Sequence, residues 1–238
     1  MNYRQSAYQL LQGAGIEIGA LNQPAILPPQ LSVAYCDVIS REDAKRLFPE
    51  ADSTHLVEVT HLVNLDASGL QKFAADTVDF VVLSHVIEHV ANPIAVIGEL
   101  FRVCKPGGHV VIAAPDKDYT FDKPRALTPF AHLLEEYQQQ VTTVTDAHYI
   151  DFLRAVHPEV FNRPPEQFER DLAGVRARRE HAHVWDSAAF AAFMREVLSL
   201  LNISAIPEIE LLGSQTGHEY FAVWRKQAAK YAESRQAL

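Results

Sequence analysis

Cysteine is nearly missing from this chain: Cys36 and Cys104 are the two present among 238 residues. That scarcity excludes a disulfide framework and predicts reduced, buried thiols of the kind a cytoplasmic protein carries. Basic charge is short as well, with 21 Lys and Arg against 30 Asp and Glu and a net charge of -9. Such a surface repels phosphate backbones, so nucleic acid is not an expected partner. The densest basic stretch, Arg176–Arg179, reads as a solvated helix face. Long apolar runs are also lacking. The longest apolar region, Val78–Ile97, is broken by Asp79, His85, Glu88, His89 and Asn92, whereas a membrane span needs about 20 apolar residues. The opening MNYRQSAYQLLQ has neither the basic start nor the apolar centre of a secretory leader. A cytoplasmic protein without a membrane span is the expectation.

What is present is an alternation of short apolar, β-branched runs with helical patterns, which predicts a mostly parallel sheet covered by helices on both faces. The expected strands are Ile16–Ile18, Ser32–Asp37, Leu56–Thr60, Phe80–Ser84, His109–Ala114, Ile203–Leu211 and Glu219–Trp224. Phe80–Leu83 and Val110–Ala113 are continuous apolar runs, as strands buried on both faces are, and belong at the sheet centre. Asn92 and Pro93 open a helix carrying Ile97, Leu100, Phe101 and Cys104, which Pro106-Gly107-Gly108 stops. Asp186 caps a helix whose Phe190, Phe193, Met194 and Val197 face the core. Residues 116–183 carry helical patterns and prolines without a convincing strand. This segment is expected to be a helical insertion after the fifth strand, within one domain spanning 1–238. It would lie at the carboxyl edge of the sheet, where ligands bind in open α/β folds, and so could cap a substrate.

Two segments carry chemistry. In the first, Gly15-Ile-Glu-Ile-Gly-Ala-Leu-Asn-Gln23, a strand ends beside the acid Glu17 and Gly19 lets the backbone turn tightly against a ligand. Asp37 follows Glu17 by 20 residues at the tip of the next strand, where a carboxylate can accept hydrogen bonds from a ribose diol. Of the glycines that a pyrophosphate-cradling G-x-G-x-x-G loop requires, only Gly19 remains. In the second segment, Asp79–Gly108 reads DFVVLSHVIEHVANPIAVIGELFRVCKPGG.

With its strand ending at Ser84, its Val86-Ile87-Glu88-His89 turn and its Lys105-Pro106-Gly107-Gly108, this second segment closely resembles class I S-adenosylmethionine-dependent methyltransferases of the type-11 kind. Together with Glu17-Ile18-Gly19, Asp37 and Asp66, the resemblance covers residues 14–115. It implies a doubly wound, mostly parallel seven-stranded sheet, in agreement with the strands counted above, and S-adenosyl-L-methionine as cofactor. By position it places Gly19 and Ala20 against the amino-acid part of the cofactor, with Glu17 organising the loop. Asp37 would hold the ribose, Asp66 with Ala67 would sit near the adenine, and Ser84 and His85 would line the methionine end. Two features depart from the family pattern. Its G-x-G-x-G loop is here Gly19-Ala20-Leu21-Asn22-Gln23, and the interval from Asp37 to Asp66 is long. The segments Asp116–Pro129 and His181-Ala-His-Val-Trp-Asp186 look most like bacterial methyltransferases linked to surface-polysaccharide and small-molecule pathways, so the expected partner is a small-molecule or glycan acceptor.

Methyl transfer to a hydroxyl benefits from a base of near-neutral pKa, which histidine supplies. Of eleven histidines, those expected near the methyl are His85, His89, His148, His181 and His183, and the candidate bases are His85, His148 and His183. His85, Glu88 and His89 stand at i, i+3 and i+4 and could share one face toward a metal. Related O-methyltransferases with Glu-x-x-Glu-His here bind a divalent ion, but Glu-His is also common in relatives that use none, and no metal is expected. Two other readings remain: a non-catalytic S-adenosylmethionine-binding protein, and an NAD(P)-dependent oxidoreductase, which the missing pyrophosphate loop and Tyr-x-x-x-Lys pair disfavour.

Overall fold

The computed structural model describes residues 2–228. Seven strands form one sheet in the order β3-β2-β1-β4-β5-β7-β6. They are β1 (Ala14–Ile18), β2 (Ser32–Asp37), β3 (His61–Leu62), β4 (Val78–Ser84), β5 (Cys104–Pro115), β6 (Ala205–Leu211) and β7 (Glu219–Lys226). Pairing is parallel from β3 through β5, whereas β7 runs antiparallel to both β5 and β6. The fold is the mostly parallel, seven-stranded α/β sheet that the alternating pattern predicted.

Continuous apolar runs sit where expected. Phe80, Val81, Val82 and Leu83 in β4 are fully buried, each contributing about 1.5–3 kcal/mol by leaving water. One face of the sheet packs against α3 (Pro93–Val103), α4 (Phe130–Gln138) and α7 (Ser187–Leu200). The other face is covered by α1 (Tyr3–Ala7) and the chain after it, with Tyr8 and Leu11 against Phe80, Val111 and Phe221. The cap residues behave as their chemistry dictates: the Asn92 side chain accepts from the Ala95 amide with Pro93 in the first turn, and the Asp186 carboxylate accepts from the Ala189 amide. Cys36 and Cys104 are free and buried.

Two expectations are corrected. The third strand is not Leu56–Thr60 but the two-residue β3, because pairing with β2 begins only at Cys36–His61. Leu56 instead packs inward from a turn-rich loop. Pro106-Gly107-Gly108 does not itself end the helix, which stops at Val103. Those residues loop out of β5, since Val78 pairs with Cys104 and Phe80 with His109, and Gly107 takes φ +81° there.

Between β5 and α7 the chain contains α4, α5 (Asp146–Val156), α6 (Pro165–Arg178) and 3-10 turns, with no strand among them. Tyr149, Phe152, Leu153, Val160 and Leu172 give α5 and α6 a small core of their own. No described helix is long and apolar enough to cross a membrane.

Candidate active site

Strand order reverses between β1 and β4, and the crevice beyond the carboxyl ends of the strands is where an open α/β sheet binds ligands. A cavity of about 280 Å³ opens there, bounded by the tips of β1, β2 and β4 through Gly19, Asp37, His85 and Val86. Val38, Ile39, Val63 and Leu65 supply apolar walls, and Arg178 and Arg179 close it from the end of α6. Arg178 is anchored by Glu50 at 2.6 Å and lies over the Phe48 ring at 4.7 Å, which ties the end of α6 to α2 (Arg41–Leu47) and the residue after it.

Gly19 turns the chain at φ +73°, and a Cβ at that position would stand 2.4 Å from Val86 Cγ2. Backbone therefore borders the cavity where any side chain would collide. Beneath the loop, Glu17 is 3 % exposed. Its Oε1 accepts from the Ala25 amide at 2.9 Å, while Oε2 is buried with no partner. Burial raises its pKa to about 7, against weaker lowering by the Ala25 amide and Arg4. The folded state thus binds this proton more tightly than the unfolded chain, so its stabilisation is full below about 4.5 and is lost as pH rises through about 7. Glu17→Gln should therefore lose less melting temperature than the parent between pH 5 and 8, measured by thermal denaturation across that range. Parallel pH curves would refute the buried-proton account.

Asp37 Oδ1 accepts from the Val38 and Ile39 amides at 2.7 and 3.3 Å. Its Oδ2 has no partner among the described residues and belongs to a cavity-lining side chain. Burial raises the Asp37 pKa, while the two amides and Arg179 oppose that shift.

His85 follows the last residue of β4 with φ +55°, the left-handed region that a histidine occupies only at a cost of about 1–2 kcal/mol. Its amide is held by the Ala113 carbonyl at 3.0 Å, and its Nε2 lies 2.7 Å from Glu219 Oε2. Glu219 opens β7 and is fully buried. It also accepts from Tyr3 Oη at 2.5 Å and Arg4 Nε at 2.8 Å. Burial pushes its carboxyl up, but the hydrogen bonds from His85, Arg4 and Tyr3 and the Arg4 charge outweigh that and hold it at about 2. Glu219 is therefore a carboxylate, and His85 Nε2 is the donor. His85 Nδ1 is left without a hydrogen-bond partner among the described residues.

Glu88 is 1 % exposed, and neither carboxylate oxygen has a hydrogen-bond partner. Around its Oε1 stand His85 Nδ1 at 3.7 Å, His89 Nε2 at 3.6 Å and His181 Nε2 at 3.8 Å. His89 Nδ1 bonds the Arg179 carbonyl and His181 Nδ1 the Asp122 carboxylate, so both rings turn Nε2 toward Glu88.

The other expected residues have other places. Ser84 pairs with Ala113 inside the sheet beside the cavity. Ala20 is buried next to the lining residues Gly19 and Leu21. Asp66 Oδ1 accepts from the Ala91 amide at 2.7 Å and its Oδ2 pairs with Arg179, so it braces the turn after β4. With Ala67 it borders a separate hollow shared with Asn92 and Glu99, while Val63 and Leu65 line the cavity in their stead. His148 and His183 do not line the cavity and converge elsewhere, with His132 and Glu136. Sequence reading missed Glu219, Tyr3 and Arg4.

A family model described as a methyltransferase domain matches residues 8–197. The chain belongs to that family, a class I methyltransferase whose cofactor is S-adenosylmethionine. No curated protein matches it in sequence. Among solved structures it is similar to one from Rhodobacter sphaeroides described as a candidate zinc-dependent alcohol dehydrogenase, at TM-score 0.57 and 12 % identity over 96 % of this chain and 91 % of that one. A SAM-dependent methyltransferase from Aquifex aeolicus gives TM-score 0.46 and 14 % identity over 92 % and 85 %. The CurJ carbon methyltransferase gives TM-score 0.46 and 12 % identity over 96 % of this chain, which spans only 50 % of that one. Identities this low report a shared fold.

The cavity fits the cofactor on its own evidence. It offers a half-free carboxylate at the β2 tip for a diol, apolar walls for a base, and bare backbone at Gly19.

Proposed function

We propose that this enzyme methylates a hydroxyl oxygen of a small acceptor, of the sugar class, using His85 as general base. The observation that carries the reading is the His85–Glu219 pair at 2.7 Å beside the cavity. When bound, S-adenosylmethionine supplies a methyl group activated on a sulfonium. Asp37 accepts from the ribose hydroxyls, and Val38, Ile39, Val63 and Leu65 exclude water around the base. Glu219 fixes the His85 tautomer with hydrogen on Nε2, so Nδ1 can take the acceptor proton, and its carboxylate stabilises the imidazolium that results. The left-handed backbone at His85 holds that ring at the end of β4. Helices α4–α6 act as a cap that shields the acceptor from bulk water.

The orphaned Glu88 oxygens, with His89 and His181 beside them, also fit a divalent ion. Glu88, His89 and His181 would hold it, and it would polarise the acceptor oxygen.

The test is mass spectrometry of hydroxylated acceptors, sugars first, incubated with the enzyme and S-adenosylmethionine. A gain of one methyl on oxygen is expected. Methylation at carbon or nitrogen, or cofactor binding with no turnover across the panel, would overturn the reading, and the latter would favour a binding protein. Tight NAD(P) binding in place of S-adenosylmethionine would restore the oxidoreductase alternative.

A further inference from the structure

A second cluster of imidazoles lies outside the cofactor cavity. His132 and Glu136 stand at i and i+4 on α4, so both side chains leave the same face of that helix. His148 reaches them from the first turn of α5, and His183 from the extended run before α7. His132 Nε2 and His148 Nε2 are 3.4 Å apart. Glu136 Oε1 lies 3.2 Å from the first and 3.1 Å from the second. Glu136 Oε2 lies 3.6 Å from His183 Nε2.

His132, His148 and His183 each turn a ring nitrogen to within 4.8 Å of the other two, and the contacts of 3.1–3.4 Å among His132, His148 and Glu136 match the spacing of metal ligands. Ligand atoms about 2.0–2.1 Å from a tetrahedral zinc stand roughly 3.3 Å from one another. His148 Nδ1 lies 3.2 Å from the Ala182 carbonyl, a contact that puts hydrogen on Nδ1 and leaves the Nε2 lone pair facing the cluster. A chain of ordinary hydrogen bonds does not satisfy these groups. A protonated His148 could pair with Glu136 Oε1, but His183, at 1 % exposure, would have only the Val90 carbonyl as a hydrogen-bonding neighbour and its other ring nitrogen would stay unpartnered, while Glu136 Oε2 would stay buried without a donor. Buried polar groups left in that state are costly and call for an explanation. His132 is only half-buried, its side chain 42 % accessible, which gives an ion a way in from solvent.

We propose that His132, Glu136, His148 and His183 bind a divalent transition ion of the zinc class as a closed, structural site. Three imidazoles and one carboxylate suit such an ion and give it no open position for catalysis. Its consequence is mechanical. The ion joins α4 and α5 to the run that carries His181, and the amides of Ala182 and His183 both donate to the Glu88 carbonyl, at 2.8 and 3.0 Å. The cap would then be pinned to the turn after β4. The inference stands whether or not the acceptor is a hydroxyl.

The full chain, stripped with chelator, is titrated with zinc chloride by calorimetry, beside His132→Ala, His148→Ala and His89→Ala. The parent should bind a zinc equivalent that His132→Ala and His148→Ala lose or weaken at least 100-fold and that His89→Ala, altered only in the Glu88 cluster, retains. Cobalt(II) should give the parent a tetrahedral visible spectrum that His132→Ala lacks. Metal-free His132→Ala, changed at the half-buried ligand, should melt with the metal-free parent, while zinc raises the melting temperature of the parent alone. No zinc uptake by the parent, or equal uptake by the parent and both variants, overturns the proposal. So does loss of the equivalent in His89→Ala alone.

Discussion

Asp37→Ala is expected to weaken S-adenosylmethionine binding about 100-fold, on the basis that a hydrogen bond to a charged acceptor contributes about 1.5–3 kcal/mol. The residue acts twice. On the proposed reading its free Oδ2 accepts from a ribose hydroxyl, and its Oδ1 holds the Val38 and Ile39 amides, whose side chains form the cavity wall. Asp37→Asn keeps an oxygen for those amides while losing the charge, and should fall between parent and alanine. Calorimetry with S-adenosylmethionine and S-adenosylhomocysteine reads both variants. The two ligands share the ribose, so both should weaken together. Unchanged affinity in Asp37→Ala would remove the ribose assignment and, with it, the orientation of the cofactor in the cavity.

That Gly19 and Asp37 border one cavity was legible because the signals are local. Gly19 and Asp37 sit at strand ends whose apolar runs announce themselves, and the Asn92-Pro93 cap fixes where α3 begins. Sheet architecture followed from the same alternation. The third strand was misplaced because Leu56–Thr60 has the composition of a strand, whereas pairing at this edge is decided by where the loop after α2 can reach β2. The machinery around His85 was not legible. Glu219 lies 134 residues further on, and Tyr3 and Arg4 come from the opposite end of the chain. The antiparallel return of β7 beside β5 places Glu219, and the packing of α1 against Phe221 brings Tyr3 and Arg4 to it. Asp66 shows the converse. An acid in roughly the family's position became a brace for Ala91 and Arg179, and the apolar Val63 and Leu65 took the wall. The i, i+4 pair of His132 and Glu136 was visible in the sequence, but a helix of mixed polarity gave no reason to single it out until His148 and His183 arrived from elsewhere.

The largest effect on turnover is expected at His85. A positioned base contributes about 10²- to 10⁴-fold, so His85→Ala should lose that much kcat while S-adenosylmethionine affinity stays close to the parent's. Added imidazole should restore part of the rate, which a merely structural side chain would not show. Glu219 is a positioning residue and should behave differently. Glu219→Gln keeps a hydrogen-bond acceptor for His85 Nε2 but removes the charge that stabilises the imidazolium, so kcat should fall with little change in the KM for cofactor. Its stability effect has a defined sign. Because the folded-state pKa of Glu219 is depressed to about 2, its contribution is present above about 4.5 and is lost as pH falls through about 2. The variant should therefore melt lower than the parent at neutral pH, with the difference shrinking on acidification. Parental kcat in His85→Ala would end the general-base reading, whatever Glu219→Gln does. A drop in kcat that imidazole cannot rescue, accompanied by an equal loss of cofactor affinity, would instead make His85 a wall of the cofactor pocket.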